Sequence, residues 1–450
     1  MSSNPIYTEA IIGRLVDIDE DGNLRDRPNH ILGWDNSGKI SHVGPAPSNS
    51  ELPDNIPITR LDKDSFLTPG AIDCHIHYPQ TRIIGGLGTD LLDWLDQHVW
   101  PEESRFIDPK YARTVAKQFF SNLISSGTTS CMAFGSQFKD AMHEFFDIAN
   151  QLNMTTCSGL VAQDRNTLSK VEFSVDDFAE NSLEVSKQWH NKNRIHYTIL
   201  PRFSIACSED MLEYLGESFQ ANNFFMQTHI NESFNEIEAV KNLFPNRKDY
   251  LDTYEHYNLL GNRASFAHSI HTTNDELKRL AETQSKAAHC PSSNGFLGSG
   301  AFPYKNHKDN NISIGVGTDV GAGLTFSMWK EMGHAHLMQM RLNPTERHNW
   351  SGTNILKGMT RDGAKFLNME DELGSIDNSK WADLTLIQPK QDSYLSLSRD
   401  SNQQLTLDQL IFRLACAHES NFIAETWIAG KSVFKRDSNT HHPSLQDNPS

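Results

Sequence analysis

Hydrophobic residues follow two patterns along this chain, and each pattern occupies its own stretch. Near both ends, short apolar runs lie between turn-forming residues, which is typical of β-strands. These runs are residues 10–18, 30–34, 382–387 and 425–434. The stretch Asp-Asn-Ser-Gly-Lys at 35–39 predicts a hairpin turn after the second run. We therefore expect one small β-sandwich domain built from both termini.

The middle of the chain alternates short apolar runs with longer segments of helical periodicity. The strand candidates are residues 130–134, 197–200, 225–228, 264–267 and 312–317, and the helix candidates include 111–126 and 232–243. Repeated strand–helix alternation over about 300 residues predicts an α/β fold with a parallel sheet, and a (β/α)8 TIM-like barrel fits that length.

These patterns predict a layout in three segments. We expect the N-terminal part of the β domain at 1–66, the barrel at 67–375, and the C-terminal part of the β domain at 376–450. The last ten residues, 441–450, are polar and contain two prolines, which is typical of a loose tail.

Composition narrows the classes of partner. The 450 residues include 40 Lys and Arg against 57 Asp and Glu, a formal net charge of −17. Such a charge repels phosphate-rich partners, which argues against nucleic acid and anionic membranes. No apolar run reaches about 18 residues, and the N-terminus lacks a basic, apolar leader, so we expect neither a membrane span nor a secretory signal. Six cysteines without paired spacing favour a reducing compartment, the cytoplasm.

The sharpest candidate for chemistry is the segment 68–77, Thr-Pro-Gly-Ala-Ile-Asp-Cys-His-Ile-His. Side chains alternate faces along a strand, so His75 and His77 point to the same side. Two imidazoles on one face can bind one metal ion, and Zn²⁺ favours nitrogen ligands of this kind. For this motif alone, a solvated histidine pair is the alternative.

Three further apolar runs share one layout, because each leads directly to a polar residue. The residues are His229, His268 and Asp319. In a β/α barrel the C-terminal strand ends open on one face, so these side chains should converge with the histidine pair. The joint pattern is hard to obtain by chance, although a single histidine after a strand is usually a packed or solvated side chain.

In this order and layout, the five residues resemble the amidohydrolase superfamily, and the resemblance covers nearly the whole chain. It implies metal ligation by His75, His77, His229 and Asp319. It also implies that His268 lies close to the metal and orients its water. Superfamily members often carry a Gly-Lys pair before Ala-Asp near the barrel's end, and here Ser379 stands in place of the glycine.

Two features favour the mononuclear deaminase branch of that superfamily. Dinuclear members place a bridging lysine on the fourth strand, and the region 197–201 offers none. The deaminase branch carries a glutamate three residues after the third metal histidine, and Glu232 has that spacing. The resemblance implies catalysis by Glu232, His268 and Asp319. The structural alternative for Glu232 is a carboxylate that complements the dipole of a helix N-terminus.

Several segments resemble those of the guanine-acting members of this branch. They contain Gln80, Trp94 with Pro101, and the pair Arg202-Phe203. An arginine fork can donate to O6 or N7 of a purine, an amide can donate and accept, and a phenyl ring can pack on the purine face. For each residue alone, the alternatives are a surface ion pair, a loop-capping amide and plain core.

The resemblance therefore implies hydrolytic deamination of guanine, a small-molecule substrate, by a metal-activated water. The expected substrate contacts are His77, Gln80, Arg202, Phe203, His229, Glu232 and Asp319. One Zn²⁺ per subunit is expected, with Fe²⁺ as the alternative metal, and the analogy implies a homodimer. The alternatives to guanine are related rings such as 8-oxoguanine, a pterin or an s-triazine, and a non-catalytic scaffold.

Overall fold

Strands and helices alternate through most of this protein, between two β-rich ends. A computed structural model describes residues 7–53, 55–87, 91–390, 393, 395, 405–417 and 422–436, so the predicted tail at 441–450 lies outside the described residues. The strands are β1 Glu9–Ile18, β2 Leu24–Trp34, β3 Ile40–Pro45, β4 Ile58–Arg60, β5 Phe66–Pro69, β6 Ala71–His77, β7 Thr128–Phe134, β8 Thr155–Gly159, β9 Val161–Ala162, β10 Ile195–Pro201, β11 Phe225–Ile230, β12 Ala264–His268, β13 Lys286–His289, β14 Ile314–Val316, β15 Leu384–Ile387, β16 Ile423–Ile428 and β17 Lys431–Lys435.

The helices lie mostly between the strands of the middle region. They are α1 Leu91–Trp94, α2 Trp100–Glu103, α3 Pro109–Ser125, α4 Lys139–Leu152, α5 Val175–Trp189, α6 Glu209–Ala221, α7 Phe234–Leu243, α8 Asp252–Glu255, α9 Asn274–Glu282, α10 Pro291–Phe296, α11 Tyr304–Asp309, α12 Met328–Gln339, α13 Gly352–Met359, α14 Arg361–Phe366 and α15 Leu407–Cys416. Among the described helices, none is both long and apolar enough to cross a membrane.

Strands from both ends of the chain join in one eight-stranded sheet. Its order is β17-β16-β15-β5-β1-β2-β3, and β4 pairs with β1. The predicted hairpin is present, because β2 and β3 are antiparallel and the Asp35 carboxylate accepts the N–H groups of Ser37 and Lys39 in the turn. The antiparallel pairing of β5 with β15 connects the two ends of the chain. The prediction of a β domain built from both termini is confirmed.

The middle region is a parallel barrel. Its eight strands follow the order β6-β7-β8-β10-β11-β12-β13-β14, with β9 paired to β10. Every residue of β7 and β12 is buried. This is expected of barrel strands, because one face packs against the side chains inside the barrel and the other face packs against the surrounding helices. The predicted (β/α)8 barrel is confirmed.

The barrel closes through the segment that follows β14 rather than through β14 itself. The N–H of Asp319 donates to the carbonyl of His75 at 2.8 Å, and the N–H of His77 donates to the carbonyl of Val320 at 2.8 Å. The buried Asp73 carboxylate accepts the Thr318 hydroxyl at 2.6 Å and the Thr318 N–H at 3.1 Å. These bonds join the first barrel strand to the last at the end where strands meet loops.

Helix α7 begins two residues later than its periodicity predicts. Ser233 caps it, because the Ser233 hydroxyl accepts the Glu236 N–H and the Glu236 carboxylate accepts the Ser233 N–H. This reciprocal pair is a capping box, which satisfies two N–H groups that no helical carbonyl can reach. Glu232 therefore precedes the helix, and the carboxylate that complements the helix N-terminus is that of Glu236.

The barrel and the terminal sheet meet at a buried ion pair. Arg194, beside the start of β10, donates to both carboxylate oxygens of Asp383, and both side chains are 5% exposed. Asp383 also accepts the Ala429 N–H, and Arg194 donates to the Asn153 carbonyl. Nearby, Ser379 has a φ of 72°, in the left-handed region that favours glycine, so a serine occupies a backbone position suited to the glycine common in the superfamily.

We expect Asp383→Asn to lower the free energy of unfolding by about 3 kcal/mol, because it leaves the Arg194 guanidinium buried without a counter-charge. Urea denaturation measured by circular dichroism tests this. Asp309→Asn is the matched control, since it removes an exposed partner of Lys305 and should change stability by less than about 0.5 kcal/mol. Equal effects of the two substitutions would contradict a structural role for the junction pair.

Candidate metal centre

Four barrel strands bring the predicted polar residues to one point. His75 and His77 come from β6, His229 from β11 and His268 from the end of β12, while Asp319 follows β14. The Nε2 atom of His77 lies 3.2 Å from Nε2 of His75 and 3.3 Å from Nε2 of His229. Asp319 Oδ1 lies 3.3 Å from His75 Nε2 and 3.1 Å from His77 Nε2.

Hydrogen bonds behind the site fix which nitrogen of two imidazoles carries the proton. Gln227 donates its amide to the Cys74 carbonyl at 2.8 Å, so its Oε1 accepts from Nδ1 of His75 at 3.0 Å. The Arg202 carbonyl accepts from Nδ1 of His229 at 2.6 Å. Each of these imidazoles therefore presents a lone pair on Nε2 to the shared point.

The donor set fits a metal ion. Lone pairs on imidazole nitrogens and on a carboxylate repel one another at these separations unless a proton or a metal cation lies between them. Ligands around a tetrahedral Zn²⁺, with bonds of about 2.0 Å, are about 3.3 Å apart, close to the distances between these atoms. Second hydrogen bonds from the ring N–H groups to an amide and a carbonyl are the usual support of metal-binding histidines. His75, His77 and Asp319 form one such cluster, with donor atoms within 4.8 Å of one another.

His268 lies beside this cluster and between two carboxylates. Its Nδ1 faces Oδ1 of Asn294 at 2.9 Å. Its Nε2 lies 3.4 Å from Oε2 of Glu232 and 3.8 Å from Oδ2 of Asp319. His268 and Asp319 have φ angles of 68° and 49°, so both strand ends turn through the left-handed region where their side chains meet. The imidazole can therefore hydrogen-bond a small molecule held between it and these carboxylates.

Burial sets the protonation of the groups around the site. Glu232 is 2% exposed, and its Oε1 accepts the Ser299 hydroxyl at 3.1 Å. Burial, with the charge of Asp319, raises the pKa of Glu232 to about 8. Burial lowers the pKa of His77 to about 4, which keeps the imidazole neutral, the form that binds metals. Glu232 can therefore exchange a proton near neutral pH.

A cavity opens onto the cluster. The predicted substrate contacts Gln80, Arg202 and Phe203 line it, together with Glu232. Apolar side chains complete its wall, namely Leu91, Trp94, Leu95, Leu297 and Ala322. No lysine occurs among the described residues that line it, in keeping with the absence of a bridging lysine from the fourth strand. Pro101, predicted alongside Trp94, is exposed and does not line the cavity.

Sequence reasoning missed the residues that hold these side chains in place. Gln227 orients His75, Asn294 contacts His268, and Ser299 donates to Glu232. Glu103 binds the Arg202 guanidinium within the barrel mouth. One signal was present for Gln227, an uncharged polar residue two positions before His229 and therefore on the same face of β11. The others lie in loops and helices, where the sequence gives no register.

Known guanine deaminases resemble this chain along most of its length. A probable guanine deaminase from Deinococcus radiodurans is 37% identical over 378 residues, which cover 83% of this chain and 85% of that protein. The guanine deaminase of Escherichia coli is 32% identical over 404 residues, 89% of this chain and 90% of that protein. A solved guanine deaminase from C. acetobutylicum, with guanine bound in its active site, superposes with a TM-score of 0.85 at 25% identity, over 95% of this chain and 100% of that one.

The match to a family extends through both parts of the fold. The amidohydrolase family matches residues 66–433, from β5 through the whole barrel to β17. This range contains the histidine cluster, Asp319 and the cavity that they line. The resemblance inferred from the strand-end residues is confirmed, and the chain belongs to the amidohydrolase family.

Proposed function

We propose that this protein is a guanine deaminase, which hydrolyses guanine to xanthine and ammonia. One observation carries the proposal: a single cavity joins the convergent imidazoles, the buried Glu232 and the donors of Arg202 and Gln80. The first group can activate water, the second can move its proton, and the third can hold an oxo-purine. The names of the relatives support the same reaction.

We propose that His75, His77, His229 and Asp319 hold one Zn²⁺ per chain. Three imidazoles and a carboxylate suit Zn²⁺, and Fe²⁺ is the alternative that the same ligands accept. A metal bound there lowers the pKa of a water molecule toward neutrality. The supporting observation is that the ring N–H groups of His75 and His229 are already committed to Gln227 and the Arg202 carbonyl.

Glu232 is the proposed proton carrier. Its carboxylate takes one proton from the attacking water and delivers it to N3 of guanine, which makes C2 more electrophilic. The water oxygen bonds to C2, while His268 and Asp319 hydrogen-bond that oxygen. The second water proton passes to the C2 amine, which leaves as ammonia when the C–N bond breaks. Xanthine then carries the oxygen at C2 and the proton at N3.

The opposite part of the cavity is the proposed recognition site for the ring. Arg202 donates to O6 or N7, Gln80 hydrogen-bonds the same edge, and the Phe203 ring packs against the purine face. His77 and His229 line the same cavity. They are the remaining proposed contacts to the substrate, together with Glu232 and Asp319. A homodimer in the cytoplasm, acting in purine breakdown or salvage, completes the proposal and rests on the resemblance alone.

We expect the purified protein to convert guanine to xanthine, followed by ultraviolet absorbance, and to lose this activity when a chelator removes its metal. Adding Zn²⁺ or Fe²⁺ to the stripped protein should restore turnover, and mass spectrometry should count about one ion per chain. Full turnover by metal-free protein would contradict the metal site. Preference by about tenfold or more for 8-oxoguanine, a pterin or an s-triazine would contradict guanine as the substrate.

The substitution Glu232→Gln should lower kcat by about a thousandfold, because an amide of the same shape cannot accept the water proton. Metal content should stay at the wild-type level, since Glu232 is not among the proposed ligands. Glu238→Gln, on the exposed face of α7, is the matched control and should retain normal kcat. Near-normal turnover by metal-loaded Glu232→Gln would exclude the proton-carrier role.

A further inference from the structure

A buried carboxylate, Glu103, lies behind the recognition side of the cavity. It stands at the end of α2 and is 1% exposed. Arg202 Nη1 donates to both of its oxygens at 2.7 Å. Gln137 Nε2 donates to Oε2 at 2.6 Å, and Gln80 Nε2 donates to Oε1 at 3.3 Å. Glu103 thus joins the two polar residues that the proposed function assigns to the substrate edge.

The amide of Gln80 has one favourable orientation in this arrangement. Its Oε1 accepts the N–H of Gly321 at 3.2 Å, while its Nε2 faces the Glu103 carboxylate. A flipped amide would set its oxygen against the carboxylate and its NH₂ group against the Gly321 N–H. Acceptor would then face acceptor, and donor would face donor, so neither hydrogen bond could form. Because Nε2 has two hydrogens and Glu103 takes one, Gln80 keeps an N–H for a ligand.

Glu103 also determines which part of Arg202 remains available. In the described chain, the guanidinium hydrogen bonds run from Nη1 to Glu103, which leaves the Nε and Nη2 hydrogens for a ligand. Both side chains are buried, at 4% exposure for Arg202 and 1% for Glu103. A buried guanidinium without its carboxylate would be strongly unfavourable, so Glu103 compensates the charge of Arg202 and fixes the direction of its side chain.

We propose that Glu103 is a positioning residue that presents Arg202 and Gln80 to the ring as hydrogen-bond donors, and thereby selects 6-oxo purines over 6-amino purines. This inference rests on the proposed function. The O6 and N7 atoms of guanine are both acceptors, whereas a 6-amino purine presents a donor at the same place. The Arg202 guanidinium has no acceptor atom, and a Gln80 amide held by Glu103 cannot flip to accept from that amine, so the 6-amino ring is rejected.

The test compares turnover with ring discrimination. Glu103→Gln replaces one acceptor oxygen by an NH₂ donor, which frees Gln80 to flip and leaves Arg202 without its counter-charge. We expect kcat/KM for guanine to fall about a hundredfold, mostly through KM. Hypoxanthine and adenine differ at this edge and lack the C2 amine, so their inhibition constants report recognition alone. The preference for hypoxanthine should fall about tenfold or more in Glu103→Gln.

Two further variants make the result specific. Glu102→Gln is the matched control, because Glu102 is also buried but pairs with Arg105 and Tyr111 and does not line the cavity. It should retain both turnover and ring preference. Glu103→Asp keeps the charge and should retain the preference for hypoxanthine while lowering kcat/KM. If Glu103→Gln unfolds at too low a temperature to assay, Glu103→Asp is compared with the unmutated protein instead. Loss of the preference for hypoxanthine in Glu103→Asp would then contradict the proposal that the negative charge at position 103 sets this preference.

Each outcome has a distinct meaning. Wild-type kcat/KM in Glu103→Gln overturns the inference, and so does a loss of turnover with an unchanged ratio of the two inhibition constants. In both cases, the proposed function is still supported if the unmutated protein hydrolyses guanine. A wild-type protein that does not hydrolyse guanine contradicts the proposed function, and the inference falls with it.

Discussion

Backbone hydrogen bonds that close the barrel are the constraint on which the candidate site depends. Asp319 donates its N–H to the carbonyl of His75, and His77 donates its N–H to the carbonyl of Val320. The pairing brings a carboxylate from the end of the barrel against two imidazoles from its start. The Asp73 carboxylate, bonded to Thr318, supports the same closure. These donor atoms are distant in the sequence. Without this pairing they would also be distant in space and could not share one ion.

The barrel and the polar residues at its strand ends could be predicted from the sequence, because apolar runs followed by histidine or aspartate are visible without a structure. It could not supply the partners of those residues. Gln227, Asn294 and Glu103 act through hydrogen bonds whose existence depends on which strands and loops become neighbours. The start of α7 was predictable in principle, because Ser233 and Glu236 have the spacing of a capping box.

Three of the buried carboxylates in the cavity wall and directly behind it are compensated in different ways. Glu103 lies against the Arg202 guanidinium. Asp319 faces imidazole nitrogens whose geometry suits a shared cation. Glu232 lies 3.4 Å from the His268 imidazole and accepts the Ser299 hydroxyl, and burial raises the pKa of Glu232 to about 8. The same buried region therefore contains three kinds of carboxylate. The first binds an arginine, the second has a geometry suited to a metal, and the third can exchange protons.

The left-handed backbone at His268 and Asp319 limits which substitutions can raise the thermal stability of this protein. Such conformations cost about 1–3 kcal/mol each for residues other than glycine, and glycine would remove the imidazole or carboxylate from the proposed site. The mouth of the barrel is therefore a region where gains in thermal robustness compete with turnover. Ser379, also left-handed but remote from the cavity, has no such conflict. Improvement of heat tolerance by laboratory evolution should accumulate in the terminal sheet and at its junction before it reaches the strand ends.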